Sequence, residues 1–328
     1  MSLIRRNAFV LGLLGAVLVA FLFPELGARE GALKAGLLSK AGVMVIFLLQ
    51  GLTLRTRELA GGFRHIRLHA FIQAWIFLLS PVVLVLMAAV LRLSSIGDLS
   101  AGFLFLALVP TTISSAVAFT GAAGGNVPAA IFNTTLSNVW GVFWVPTGCL
   151  LLFAGGGTFQ TELIGPLLLK IAWLIVVPLL AGQLIRPFVF RRAWFQLAAP
   201  RFKLINHGII LFIVFAAFCQ SFLSNAWDGV GAGALLTLLL LTLCAVLIVH
   251  AGNWLSSQWI TSNHADRVSA LFCGSQKTLA AGAPMAVAIF AGDSALSHVN
   301  PGLLLLPLLC YHPIQLLLAA LLLPRLTR

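Results

Sequence analysis

Phe272-Cys273-Gly274-Ser275-Gln276-Lys277-Thr278-Leu279-Ala280-Ala281-Gly282-Ala283-Pro284 sets a polar cluster and a lysine inside an otherwise apolar run. Lys277 lies ten residues past Arg267. At ~1.5 Å of rise per residue this is roughly 15 Å along a helix, near the middle of a hydrocarbon core ~30 Å thick. An ammonium at that depth costs roughly 2.5–3.5 kcal/mol to insert, so by default it marks a functional place. The bland alternative is a lysine bonded internally that only braces the hydroxyls and carbonyls around it. Gly274 and Pro284 read as the ends of a helix interruption, because glycine loosens the backbone and proline removes an amide donor.

The same signal recurs earlier. Leu108-Val109-Pro110-Thr111-Thr112-Ile113-Ser114-Ser115 puts a proline and four hydroxyl residues into another apolar run. Backbone freed by such breaks at membrane depth must be satisfied by protein groups or by water in a cavity.

Composition makes the membrane setting firm. Hydrophobic residues are 60% of the 328 positions and charged residues 9%, against roughly 25% charged in a soluble domain. A chain so poor in charge has no means of wetting a globular surface. Apolar stretches predict helices near 7–25, 38–54, 68–92, 99–122 and 127–153, then 163–186, 204–224, 230–258, 267–291 and 299–323. Arg5 and Arg6 before the first apolar stretch also have the shape of a secretory leader; the helix count keeps that stretch as the first span.

The net charge of +12 sits in short loops, with no basic groove interleaved with aromatics, so nucleic acid is excluded as a partner. The five cysteines fall in apolar stretches without paired spacing, and the histidines share no metal-type spacing. No metal or cofactor is expected. No Ser/His/Asp constellation lies at depth, which argues against an enzyme.

Orientation follows from the basic residues. With a cytoplasmic N-terminus, most of the 20 Lys and Arg residues fall inside, among them Arg55, Arg57, Arg64, Arg67, Arg186, Arg191, Arg192, Arg201 and Lys203. Outside lie only Arg29, Lys34, Lys40, Arg92 and Lys170. The positive-inside rule therefore puts both termini in the cytoplasm and requires an even number of spans. A bacterial-style inner membrane is expected.

Ten helices divide into a first five-helix repeat (1–153), a connecting loop (154–162) and a second five-helix repeat (163–328). An odd unit in tandem enters the membrane from opposite sides, giving the inverted repeats of many transporters. The two broken segments occupy the fourth place in each repeat, where a midplane site is expected. Half-helix N-termini aim positive dipole ends at such a site. All eight Asp and Glu residues lie near helix ends or in loops, so the site suits an anion rather than a cation path lined by carboxylates.

Taken together, Pro110-Thr-Thr-Ile-Ser-Ser115, Gly125-Asn126 and Gly274-Ser-Gln276-Lys277 resemble the bile acid:sodium symporter superfamily. The run Cys273 to Met285 is most similar to its SBF-like branch, whose animal member is the seventh of that solute-carrier family. The resemblance spans essentially the whole chain. It implies a panel of helices 1, 2, 6 and 7 and a core of helices 3–5 and 8–10, with broken helices 4 and 9 crossing in the core and alternating access between panel and core.

It also implies sodium sites, from which this sequence departs. Gln276, Ser115, Thr134 and Gln73 match sodium-site residues of the family. Its bridging glutamate is Phe272 here, the Asn after the Gln is Lys277, and further Asn and Ser ligands fall on Ala116 and Ala130.

The expectation is a secondary active transporter of an organic anion in which Lys277 stands where a cation would bind. Sodium is disfavoured, and a proton on Lys277, exchange or uncoupled flux can replace it. Substrate and ion groups are expected at Lys277, Gln276, Ser275, Thr278, Ser114, Ser115, Thr134, Asn133 and Gln73, with helix breaks at Pro110, Gly274 and Pro284. Two alternatives stand beside this: a transport-inactive regulatory membrane protein of the same fold, and an ordinary sodium-coupled symporter.

Overall fold

A computed structural model describes residues 3–53, 65–93, 97–153, 165–166, 169–190, 192–224, 226–228, 230–290, 296 and 299–327. Among them the chain is all helix, without a strand. The helices are α1 (Leu3–Leu22), α2 (Ala35–Thr53), α3 (Ile66–Arg92), α4 (Ser100–Leu108), α5 (Ser114–Ala122), α6 (Val127–Phe153) and α7 (Leu169–Val189). They continue as α8 (Ala193–Leu223), α9 (Ala232–Ser257), α10 (His264–Ser275), α11 (Leu279–Phe290) and α12 (Pro301–Leu326). Seven of these, α2, α3, α6, α7, α9, α12 and the Arg201–Leu223 part of α8, are long and apolar enough to cross a membrane. The expected connecting loop 154–162 and the basic residues Arg55, Arg57, Arg64 and Arg191 lie outside the described residues.

Burial is inverted relative to a soluble protein. Leu14, Leu86, Leu184 and Leu236 are exposed, while Asn133, Ser137, Gln276, Lys277 and Gln315 are fully buried. Lipid leaves apolar side chains no reason to turn inward, so polar groups gather where protein can satisfy them.

The chain forms two compact units. Unit 1 comprises Met1–Leu54, Pro146–Asp228 and Ala283–Leu305; unit 2 comprises Arg55–Val145, Gly229–Gly282 and Leu306–Arg328. These units group residues by contact, which is a separate question from the expected sequence repeats.

In unit 1, α2 and α7 approach until backbones touch. A side chain at Gly51 would collide with the Leu179 carbonyl, and one at Gly182 with that of Leu48. Gln183 Nε2 donates to Gly51 O at 2.6 Å across the same crossing. Small residues here permit the close van der Waals contact that associates helices in lipid.

In unit 2, a cluster that includes Leu68, Ile72, Ile76, Ala116, Ala130, Leu271 and Phe272 forms the core. Phe272 stacks on Phe119, ring centroids 5.6 Å apart. Asn263 caps α10 by accepting from Ala265 N, with Asp266 in the favourable first turn. Asn126 then ties that turn to the start of α6, donating from Nδ2 to Asp266 Oδ1 at 2.7 Å while its carbonyl accepts from Ser269 Oγ.

One turn of α3, Trp75–Leu79, is a π turn. Ser80 N closes it onto Trp75 O, and the next residue, Pro81, has no amide to offer Ile76 O. That carbonyl is left for other donors.

Candidate functional site

Both breaks lie in unit 2, and each has a local cause. Helix α4 stops at Leu108 because Val109 precedes Pro110, which disfavours the helical region; Val109 is extended at φ −65°, ψ 132°. Helix α10 stops at Ser275, and Gln276 turns extended at φ −84°, ψ 151°. Helix α11 begins after Thr278, whose Oγ1 lies 3.4 Å from Ala281 N in the manner of a cap.

The second break therefore falls at Gln276–Thr278, and this differs from the expected markers. Gly274 lies inside α10: a side chain there would collide with Asn253 Nδ2 and press on Trp75, so this glycine serves close packing. Pro284 lies inside α11, which continues past it. Pro110 does sit in the first break.

Several backbone groups freed by the two breaks have partners within the protein. Thr278 N donates to Pro110 O at 2.9 Å, joining one break to the other. Gln315 on α12 clamps the second break from both sides, accepting from Lys277 N at 2.7 Å and donating to Lys277 O at 2.8 Å. Tyr311 donates its hydroxyl to Ser275 O at 2.8 Å, and Asn138 Nδ2 donates to Thr111 O at 2.8 Å. This is the internal satisfaction that irregular backbone needs in lipid.

Lys277 is fully buried, and its ammonium completes the arrangement. Nζ donates to Val109 O at 2.9 Å, Ile76 O at 3.0 Å and Ala107 O at 3.3 Å. Two of these carbonyls lie at the C-terminal end of α4, where the helix dipole favours a cation. The third is the one released by the π turn before Pro81. An ammonium has three hydrogens, and in this conformation each has a protein acceptor.

Gln276 is also fully buried. Its Oε1 accepts from Ser115 Oγ at 2.7 Å, and its Nε2 has no partner. Ser115 Oγ lies 3.1 Å from Thr112 Oγ1. Lys277, Gln276, Ser115, Thr278 and Pro110 thus come together at one crossing.

The remaining expected residues lie otherwise. Ser275 turns its hydroxyl back to Leu271 O, and Thr134 to Ala130 O and Ile131 O of its own helix. Ser114 opens α5 and is exposed. Gln73 and Asn133 meet in a second cluster: Gln73 Nε2 donates to Asn133 Oδ1 and O at 3.1 Å each, and Asn133 Nδ2 sits 2.8 Å from His69 Nδ1.

Sequence reasoning did not single out Tyr311, His312 and Gln315, although His312 Nδ1 lies 3.0 Å from Gln315 Nε2. Their signal was present as three polar residues within five positions of an apolar helix. The partners of Tyr311 and Gln315 at the second break lie more than thirty residues away.

Comparison with known proteins relates the sequence to a family of transporters. A family model described as the SBF-like CPA transporter family matches residues 7–328. Sodium/bile acid cotransporter 7 of Rattus norvegicus is 32% identical over 328 residues, 98% of this chain and 92% of its own length. The protein of that name in Danio rerio is 33% identical over 327 residues, covering 98% and 94%. The putative symporter YfeH of Escherichia coli (strain K12) is 31% identical over 324 residues, covering 98% and 93%.

Proposed function

Because the chain belongs to the SBF-like CPA transporter family, we propose that it is a secondary active transporter of an organic anion, working by alternating access, with Lys277 in place of a bound cation. The coarser part stands on the family alone: this is a multi-pass membrane transporter and not an enzyme.

The observation that carries the finer reading is the set of three backbone carbonyls around the Lys277 ammonium. Carbonyl oxygens converging on a positive group are what a bare cation needs when it leaves water. Around this place the hard oxygen ligands are thin. Phe272 is stacked in the core, and Ala116 and Ala130 are buried and apolar. A tethered cation supplies the charge without an ion having to enter.

On this reading α4 with α5, and α10 with α11, are interrupted single spans. The chain then has ten spans in two inverted five-helix repeats, 1–153 and 163–328, with both termini in the cytoplasm and the protein in the inner membrane. The transported anion engages the breaks through Gln276, whose unpartnered Nε2 is the available donor, with Ser115 and Thr278 beside it.

Flux of a radiolabelled organic-anion panel into proteoliposomes tests this, with potassium or sodium as the external cation. The expected result is saturable uptake that changes less than about twofold between the cations and is lost in Gln276→Ala. A strong, saturable sodium requirement overturns the tethered-cation account. The closed coordination of Lys277 also favours a second reading, a regulatory membrane protein of this fold without turnover. Absence of flux for every anion, in protein that remains folded, selects that reading.

A further inference from the structure

Backbone orients the carboxamide of Gln315. Its Oε1 accepts from Lys277 N at 2.7 Å, and its Nε2 donates to Lys277 O at 2.8 Å. A peptide N–H only donates and a peptide carbonyl only accepts, so the two ends of this amide cannot be exchanged. Turned over, it would set Oε1 against the carbonyl and Nε2 against the N–H.

That orientation fixes the state of a third group. Gln315 Nε2 also lies 3.0 Å from Nδ1 of His312, one turn earlier on α12. An amide nitrogen carries two hydrogens and accepts nothing. One hydrogen serves Lys277 O and the other serves His312. Nδ1 is therefore the accepting nitrogen, and the imidazole is the neutral tautomer with its hydrogen on Nε2. Both side chains are buried, so bulk water does not stand in for the acceptor.

A proton on Nδ1 would turn that acceptor into a donor. Two donors would then face each other, and the amide could not reverse without losing both bonds to Lys277. Proton uptake at Nδ1 and the clamp on the second break exclude each other. The charged neighbours do not change this. Lys277 gives its ammonium hydrogens to Ile76 O, Ala107 O and Val109 O. On α10, Asp266 is tied to Asn126, Arg267 to Ser257, His264 to Leu326 O, and Cys273 points to Ala130 O. Helix α11 carries no titratable residue, and α12 adds Cys310, Tyr311, bonded to Ser275 O, and Arg325 in its last turn.

We propose that His312 is a positioning residue: as the Nε2–H tautomer it holds Gln315 on the backbone of Lys277, and a proton taken up at Nδ1 releases the second break. Proton sensitivity then resides on α12, apart from the ammonium of Lys277. The clamp stands without the transport reading; only its consequence for flux rests on that reading.

The full chain with 15N-labelled histidine, in phosphatidylcholine nanodiscs, is studied by NMR above neutral pH, the His312 signals being those missing from His312→Asn. An unprotonated Nδ1 with a protonated Nε2 is expected, and a protonated Nδ1 overturns the proposal. Melting of wild type, His312→Asn and His312→Leu is then followed from about pH 8 to about pH 5, across the ordinary imidazole value of about 6.5. Asparagine offers Oδ1 near the place of Nδ1 and takes no proton, whereas leucine offers no acceptor. At the alkaline end asparagine should match wild type, with leucine lower by roughly 2–4 °C, the shift for a buried donor losing its partner. Toward acid, wild type should lose stability relative to asparagine, because the unfolded chain binds a proton that the clamped form refuses. An identical acid response in the two, or an asparagine variant as weak as the leucine one, overturns the proposal. Anion uptake into proteoliposomes should fall at least about fivefold toward acid in wild type and less than about twofold in His312→Asn. Absence of flux, with tautomer and acid response as expected, counts for the clamp and against the transport reading.

Discussion

In unit 2, Lys277 gives its three ammonium hydrogens to the carbonyls of Ile76, Ala107 and Val109, whereas in unit 1 Arg29, Lys40 and Lys170 line a cavity of about 440 Å³. Lys40 is exposed and Lys170 partly so, while Lys277 is fully buried. The difference is in what completes the charge. A cation surrounded by its own protein's oxygens is a structural member, and its removal leaves several acceptors bare. A cation at the edge of a cavity is cheap to keep in water. Burial and coordination, not residue type, decide which of the two a lysine becomes.

The sharpest way to break that contrast is Lys277→Met, which keeps the length and removes the charge. The carbonyls of Ala107 and Val109 lose their ammonium donor, and each buried acceptor left unsatisfied costs about 1–3 kcal/mol. A large fall in melting temperature in detergent is expected. A variant as stable as wild type would return Lys277 to the class of cavity cations.

Next in size is Gln315→Ala, which removes both bonds to the backbone of Lys277. Two buried groups left bare put the loss at about 2–3 kcal/mol, and flux should fall as the break loosens. An unchanged melting temperature would mean that water takes over the clamp.

Gly182→Ala, in unit 1, sharpens the comparison from the other side. The added methyl meets backbone that cannot swing away, and overpacking of this sort costs about 2 kcal/mol. Unit 1 should thus prove sensitive to volume where unit 2 is sensitive to charge. Toleration of alanine, with melting unchanged, would show that α2 and α7 can part.

The smallest effect on stability belongs to Lys40→Gln with Lys170→Gln. Solvent-accessible charges contribute on the order of 1 kcal/mol or less, so melting should hardly move. A collapse in stability would show that these lysines are structural after all.

Much of unit 2's site could be read before any coordinates, for physical reasons. A lysine, a glutamine and a proline have no business deep in an apolar run unless something there needs them, so Pro110, Gln276 and Lys277 announced themselves. What they bond to was not legible. Gln315 and Tyr311 look like ordinary polar interruptions of α12, and only the fold brings them to residues 275–277.

Gly274 misled because glycine serves loosened backbone and close packing equally well, and only the neighbouring Asn253 and Trp75 decide between them. The cavity cations were visible as outside charges in an orientation argument. Their convergence from three segments was not, since loop charges carry no sign of the partner facing them. The membrane-buried character of the helices was plain because composition is a bulk property; where α8 begins, at Ala193 rather than near residue 204, depended on a basic stretch remaining helical.

The π turn of α3 bears on how this protein tolerates insertions and deletions. The buried stripe of α3 runs Leu68, Ile72, Ile76, Ser80, Leu84 and Ala88, a step of four residues against an α-helical repeat of about 3.6. Left alone, such a stripe would wind around the helix. The wide turn at Trp75–Leu79 absorbs part of that drift and keeps one face toward one set of neighbours. Deleting one residue from that turn would restore ordinary helical bonding with little rotation of the segments on either side, because a π turn takes up one extra residue. A deletion elsewhere in α3 has no such turn to absorb it and would rotate everything before it by about 100°, carrying Gln73 and His69 away from Asn133 when it falls between them and the turn. Length outside the turn is therefore under tighter constraint than length within it.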